Sequence, residues 1–219
     1  MLRVAELLTR AGKAYFGPRA EVLQACYDKL QATRLAEAAG IACPRTMPGN
    51  ATDALDFPLI VKPRRGSDSI GLRLLRQGPL PERYRTDEYL VQEYVRGRET
   101  TVALIGPRVG QPLELALPAG ATYSFARKYL RRPQREALRD AALAALVRER
   151  ALRLAQLFAV NWAARADFIC EPDGRLCFLE CDVAPMIARG SAFAQSMAAA
   201  GVERAEQLAL LTRGWGSAA

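Results

Sequence analysis

Apolar and polar positions alternate with different periods along the chain, and the periods predict the elements. Leu2 to Ala11 has the spacing of a short amphipathic helix stopped by Gly12, and Tyr15-Phe16-Gly17-Pro18 reads as a turn. Ala20 to Ala39 is helical in pattern, as one helix or two, with Gly40 as its stop and Pro44 beyond. Phe57 to Pro63 is a short apolar strand, and Arg64 to Gly71 a polar loop carrying Gly and Ser. Tyr89 to Tyr94 and Thr100 to Ile105 read as strands, the second rich in β-branched residues, and Glu114 to Leu117 as another. Gln134 to Ala159 is the longest helical signal, with Leu138, Ala142, Ala145, Leu146 and Leu152 as its apolar positions and Pro133 at its start. Arg165 to Cys170 and Arg175 to Val183 are two strands joined by Asp173-Gly174, a hairpin signal. A Gly- and Ala-rich stretch and a helix from Val202 to Arg213 close the chain. Mixed helices and mostly antiparallel strands argue for the α+β class.

The hairpin carries the sharpest chemistry. Side chains alternate faces along a strand, so Glu180 and Asp182 share a face. A two-residue turn at Asp173-Gly174 sets Asp167 opposite Glu180 and Arg165 opposite Asp182. A four-residue turn shifts the partners but leaves all four on one face. Cys177 and Cys181 then go to the other face, as packing residues. Three carboxylates on one face repel each other, and Arg165 offsets part of that repulsion. A hard cation such as Mg²⁺, shared with phosphate oxygens, would offset the rest. A solvated acidic face is the alternative, but strands rarely set Glu and Asp inside an apolar run.

A lysine, Lys62, ends the apolar run Leu59-Ile60-Val61 and requires a negative partner if buried. The loop after it offers backbone N–H groups, hydroxyls and two guanidinium groups, a composition suited to phosphate. The segment Gln92-Glu93-Tyr94-Val95 stands where a strand becomes a loop at Gly97, and its backbone could present itself to an adenine.

Composition narrows the chemistry. The chain has 219 residues and no histidine, which removes histidine-based triads and the usual zinc sites. Its five cysteines, Cys26, Cys43, Cys170, Cys177 and Cys181, form no Cys-x-x-Cys pair and read as reduced thiols. No segment reaches the ~20 apolar residues of a membrane span, and no signal-peptide core follows Met1, so a cytoplasmic place is expected. The net charge of +8 is dispersed and has little aromatic interleaving, which disfavours nucleic acid as a partner.

Together these pieces resemble the ATP-grasp ligases, and within them the D-alanine–D-alanine ligase family. The resemblance runs through Leu7-Leu8, Tyr15 to Pro18, Asp28-Lys29, Gly40 to Pro44, Pro58 to Pro63 and Ser67 to Gly71. It continues through Val91 to Glu99 and Tyr123 to Tyr129, then Arg165-Ala166-Asp167-Phe168 and Glu180-Cys181-Asp182-Val183-Ala184-Pro185. The order and spacing of so many motifs is the specific signal. It implies an ATP-grasp fold in which two α+β lobes hold ATP between them. Residues 1–27 would be the remnant of an N-terminal domain, 28–94 the central lobe and 95–219 the C-terminal lobe.

The resemblance also implies roles. Lys29 and Lys62 would contact ATP phosphates. Gln92, Glu93 and Val95 would line the adenine pocket, and Glu99 would hold the ribose. Asp167, Glu180 and Asp182 would bind two Mg²⁺ ions, for which Mn²⁺ can substitute. Arg165 would stabilise the reacting acyl group. Ser69, Lys128 and Tyr129 match loop residues that close over the substrates, and Ser191 one that contacts the second substrate's carboxylate. The implied activity is an ADP-forming ligase joining a small carboxylate to an amine, with amino acids as both substrates. The alternatives are a non-catalytic ATP-binding remnant or one subunit of a two-chain ligase. Departures from the family pattern include Asp182 where Asn is usual, Asp68-Ser69 where it has two serines, and Met186 where it has Gly. Loss of most of the N-terminal domain would expose Leu2, Leu7, Leu8 and Phe16. This leads us to expect a homodimer or a protein partner at the N-terminal helix.

Overall fold

Asp28 splits the second helical pattern in two. In the computed structural model, which describes residues 1–51, 55–66, 70–115 and 134–213, α1 spans Leu2–Arg10, α2 Ala20–Tyr27 and α3 Lys29–Ala38. Asp28 is extended between the last two, and its carboxylate accepts the Leu30 and Gln31 N–H groups at 3.1 and 3.2 Å. Those N–H groups have no partner inside the helix, so an N-terminal cap settles where α3 begins.

Two antiparallel sheets follow. The smaller runs β1-β4-β2-β3, from Thr46–Pro48 (β1), Leu59–Pro63 (β2), Arg73–Leu75 (β3) and Tyr89–Glu93 (β4). Leu59, Val61 and Val91 on one face pack with Leu80 and Tyr84. Strand alternation turns Ile60, Lys62, Leu90 and Gln92 to the other face, and the register pairs Ile60 with Gln92 and Lys62 with Leu90.

The larger sheet is built from Arg98–Ile105 (β5), Arg108–Val109 (β6), Leu113–Leu115 (β7), Arg135–Ala137 (β8), Ala163–Cys170 (β9) and Leu176–Asp182 (β10). Its order is β10-β9-β5-β7-β8, with β6 beside β5. On one face Val102, Leu104, Ala164, Ala166, Phe168, Phe178 and Cys181 form a core with α1 to α3 and with α4, Ala141–Leu157. On the other face Ala103, Ile105 and Ala163 lie under α5, Ala192–Ala199, and α6, Arg204–Arg213. The Ser196 hydroxyl bonds that second layer to the sheet. It accepts from the Ala103 N–H at 3.0 Å and donates to the Gln111 carbonyl at 2.8 Å.

Several expectations are corrected. The long helix does not start at Gln134, because Arg135–Ala137 pairs with β7 as a strand. Asp140 caps the helix three residues further on, accepting the Leu143 N–H at 3.0 Å. Its buried face is Leu143, Ala144, Val147, Ala151 and Leu154, while Ala142, Ala145 and Leu152 are exposed. Strands β1, β3 and β6 have two or three residues each, too few for a period to show. Helix α5 lies in the stretch read only as Gly- and Ala-rich, where Ser191 caps it through the Ala194 N–H at 3.1 Å. At the N-terminus Leu7 and Phe16 are exposed, with Val4 beside them, whereas Leu2 and Leu8 are partly buried.

The link between the sheets passes through Gly97, between β4 and β5. A Cβ there would stand 2.3 Å from the Cys170 carbonyl oxygen and 2.5 Å from Ile169. The neighbour is backbone of the central ladder and cannot swing away. Gly97→Ala should therefore destabilise the fold by ~1–3 kcal/mol, the usual cost of overpacking. Urea unfolding of the two proteins measures it, and an unchanged midpoint would contradict this account.

Candidate active site

The hairpin turn is one residue longer than its sequence signal suggests, and a bulge cancels the error. The Glu171 N–H donates to Arg175, so three residues, Pro172-Asp173-Gly174, form the loop. Cys170 pairs with Leu176, and Phe168 with Phe178. The register then shifts between Phe178 and Glu180, which leaves Leu179 as the extra residue. Beyond it Asp167 stands opposite Glu180 and Arg165 opposite Asp182. The bulge also corrects the expectation for Cys177, while Cys181 lies as expected. Cys177 pairs with Ile169, on the carboxylates' side of the sheet, while Cys181 pairs with Ala166 on the helix side. Both thiols are buried, and Cys177 donates to Glu171 at 3.3 Å.

Arg165 is shared by the three carboxylates. It lies 2.8 Å from Asp167, 3.4 Å from Glu180 and 3.5 Å from Asp182. The Thr101 hydroxyl, from the neighbouring strand, holds Asp167 at 2.6 Å. Glu99 is two residues before Thr101 and so on the same face. These side chains occupy the part of the sheet face that α5 and α6 leave uncovered.

Lys62, on the smaller sheet, is buried within the electrostatic influence of this group. Burial pulls its pKa down to about 8, against the charges of Glu180, Glu99 and Asp167, while nearby Lys29 lowers it further. Burial pushes Glu99 up to about 8, and the charges of Asp167 and Glu180 add to that. Gln92, on Lys62's face, is buried and donates to Thr46 at 2.6 Å. Glu93 turns the opposite way and pairs with Arg45 at 3.1 Å. Val95 is buried just after β4. Lys29, at the start of α3, donates to the carbonyl of Gly66 in the loop after β2. Ser191 spends its hydroxyl on the α5 cap, and Ser69, Lys128 and Tyr129 lie outside the described residues. A cavity of about 600 Å³ lined by Arg98, Asp140, Leu143 and Cys170 opens on the helix-covered side and holds none of these groups.

The sequence pattern of the family described as D-ala D-ala ligase C-terminus matches residues 33–212. The chain belongs to that family. It is 27% identical to a D-alanine–D-alanine ligase of Gloeobacter violaceus, over 90% of this chain and 72% of that one. To the same enzyme of Syntrophotalea carbinolica it is 30% identical, over 67% of this chain and 50% of the relative. Among solved structures, the VanG D-Ala:D-Ser ligase of Enterococcus faecalis superposes with a TM-score of 0.80 at 22% identity, covering 95% of this chain and 67% of that one. The D-alanine–D-alanine ligase of Bacillus anthracis complexed with ATP gives 0.78 at 21%, covering 95% and 72%. The fold is that of the ATP-grasp enzymes, in the α+β class, and the homologues favour an ATP-dependent ligase over a non-catalytic remnant.

Within this ATP-grasp chain, two supporting residues escaped the sequence reading. Thr101 looked like any β-branched strand residue. Asp28 lies inside what reads as one helical run, although Asp before a helix is a capping signal. As to a metal, Glu180 and Asp182 keep a third of their side chains exposed, at 35% and 33%, and carboxylate oxygens suit Mg²⁺. Among the described residues no three such groups converge into a cage of their own, and Arg165 lies among them instead. The donor set fits a metal that brings further oxygen ligands with it, as phosphates do.

The raised pKa of Glu99 has a consequence for stability. Between its ordinary value of 4.5 and about 8 the unfolded chain releases this proton and the folded chain keeps it. Stability therefore falls as pH rises through that window. Glu99→Gln removes the dependence, so without ligand the variant should gain on the wild type from pH 5 to 8. The gap in melting temperature should widen by about 2–4 °C or more, equivalent to ~1 kcal/mol in a chain of this size. Melting curves across that range test it, and a constant gap would refute it.

Proposed function

We propose that this chain is an ADP-forming carboxylate–amine ligase that binds ATP with Mg²⁺ between its two sheets. The observation that carries the reading is Lys62. It comes from the smaller sheet and meets the field of Glu99, Asp167 and Glu180 from the larger one. One buried cation and several carboxylates facing it form a site for a polyphosphate and its metal ion, on the scaffold of a family whose relatives bear ligase names.

In this proposal Lys29 and Lys62 take phosphate oxygens, the backbone from Gln92 and Glu93 to Val95 lines the adenine pocket, and Glu99 faces the ribose. Asp167, Glu180 and Asp182 hold Mg²⁺, two ions in the full site, which neutralises phosphate charge when bound. The acid substrate's carboxylate takes the terminal phosphoryl group as ADP leaves, and the amine then displaces phosphate from the acyl phosphate, giving up a proton as the amide forms. Arg165 stabilises the charge that develops on the acyl oxygen. In support, the Asp167 carboxylate holds the guanidinium through Nε at 2.9 Å and Nη2 at 2.8 Å, and the Thr101 hydroxyl in turn holds Asp167. Ser69, Lys128 and Tyr129 close over the substrates, and Ser191 faces the second one. The relatives' names point to D-amino acids as the substrate class, and the supply of ATP and Mg²⁺ to the cytoplasm.

An ADP-release screen with D-alanine, D-serine and other amino acids, read out with mass detection of the product, tests the reading. Amino-acid-dependent ADP and a dipeptide are expected. Glu180→Gln should keep the fold and abolish turnover. No product from any pair, with ADP release unaffected by amino acids, would overturn the proposal.

The exposed Val4, Leu7 and Phe16 support a partner at the N-terminal helix, and a two-fold dimer is the commonest closed arrangement. Light scattering at micromolar concentration should give a dimer that Leu7→Glu with Phe16→Glu dissociates. A monomeric wild type would dispose of this interface.

A further inference from the structure

Asp28 does more than cap a helix. It is 7% exposed, and its oxygens face two arginines from the loop that follows Lys62. Arg64 reaches it through Nε at 2.9 Å and Nη2 at 2.8 Å, and Arg65 through Nη2 at 3.1 Å. The backbones are stitched at the same place. Asp28 and Arg65 form an isolated β-bridge, and the Lys29 N–H donates to the Arg64 carbonyl at 3.1 Å. The Lys29 ammonium then reaches the carbonyl of Gly66. Burial alone would raise the Asp28 pKa. The Arg64 hydrogen bond, the Gln31 N–H and the charges of both arginines outweigh it and hold the carboxylate below its ordinary value.

We infer that Asp28 is a positioning residue for nucleotide phosphates: it locks the start of α3, which carries Lys29, to the loop that follows Lys62. The inference rests on the reading in which those two lysines take the phosphates. The arrangement is otherwise wasteful. Capping α3 needs one short acceptor, which Ser supplies as well as Asp. A buried carboxylate bridging two guanidinium groups is costly to desolvate and is kept where it fixes geometry. Here the geometry concerns two strands of chain that approach from different elements, α3 and β2, each with a lysine near the junction. Asp28 and the exposed Asp87, 3.9 Å from Arg64, stand against three cations, Arg64, Arg65 and Lys29, so the clamp itself keeps a net positive charge toward phosphate.

The test is calorimetric titration of the full chain with MgATP and, separately, with adenosine, which has no phosphate. Asp28→Ser keeps the cap and loses the clamp. It should weaken MgATP binding about tenfold or more, the loss of ~1.4 kcal/mol, and leave adenosine within about twofold. Asp28→Asn, close to isosteric, should give the same split. Equal weakening of both ligands, or none, would overturn the inference, as would failure of both variants to fold. Lys62→Met is the control on the underlying reading. If it binds MgATP like the wild type, the phosphate assignment itself fails; if it binds weakly while Asp28→Ser does not, only the role of Asp28 fails.

Discussion

Four carboxylates, Glu99, Asp167, Glu180 and Asp182, share one partly buried sheet face, and charge taken out of water must find a counter-charge. Arg165 supplies most of it from within the same hairpin, and Lys62 adds a cation from the opposite sheet. The cleft is therefore an electrostatic joint as well as a groove. The carboxylates stand on the larger sheet and Lys62 comes from the smaller one, and burial pushes both Glu99 and Lys62 toward neutrality. A metal-bearing polyphosphate fits such a joint because it brings both signs of charge with it.

The larger sheet can present this face because its two sides are treated differently. One side packs on α1 to α4, through the core of Phe168, Phe178 and their neighbours. The other side is divided. Its far part, at Ala103, Ile105 and Ala163, lies under α5 and α6, and its near part is left for the charged residues. Ser196 marks the boundary, tying α5 to Ala103 only two residues beyond Thr101. Polar chemistry on β5 and β9 thus sits directly beside a dry layer, which holds the strands rigid where the site needs them.

The helices and longer strands were legible in the sequence because their periods are local. Asp167, Glu180 and Asp182 could be set on one face by counting, since alternation along a strand needs no partner. Short elements left no such signal. Strands of two or three residues, β1, β3, β6 and β8, exist only because a ladder receives them, and β8 overrode a helical pattern for that reason. The hairpin register came out as expected through two deviations that cancel, a longer turn and a bulge at Leu179. Only the side of the sheet that Cys177 occupies betrays them.

The sequence by itself determined the family, the fold class and the types of charged group in the site, because motif order and strand alternation are properties of the chain. The tertiary structure decided which charges meet. It decided that Arg165 stands among three carboxylates, that Thr101 holds Asp167, and that Asp28 joins α3 to the loop after Lys62. These pairings bridge up to 66 residues of sequence, from Thr101 to Asp167, and distances across packed sheets are not encoded in any local period.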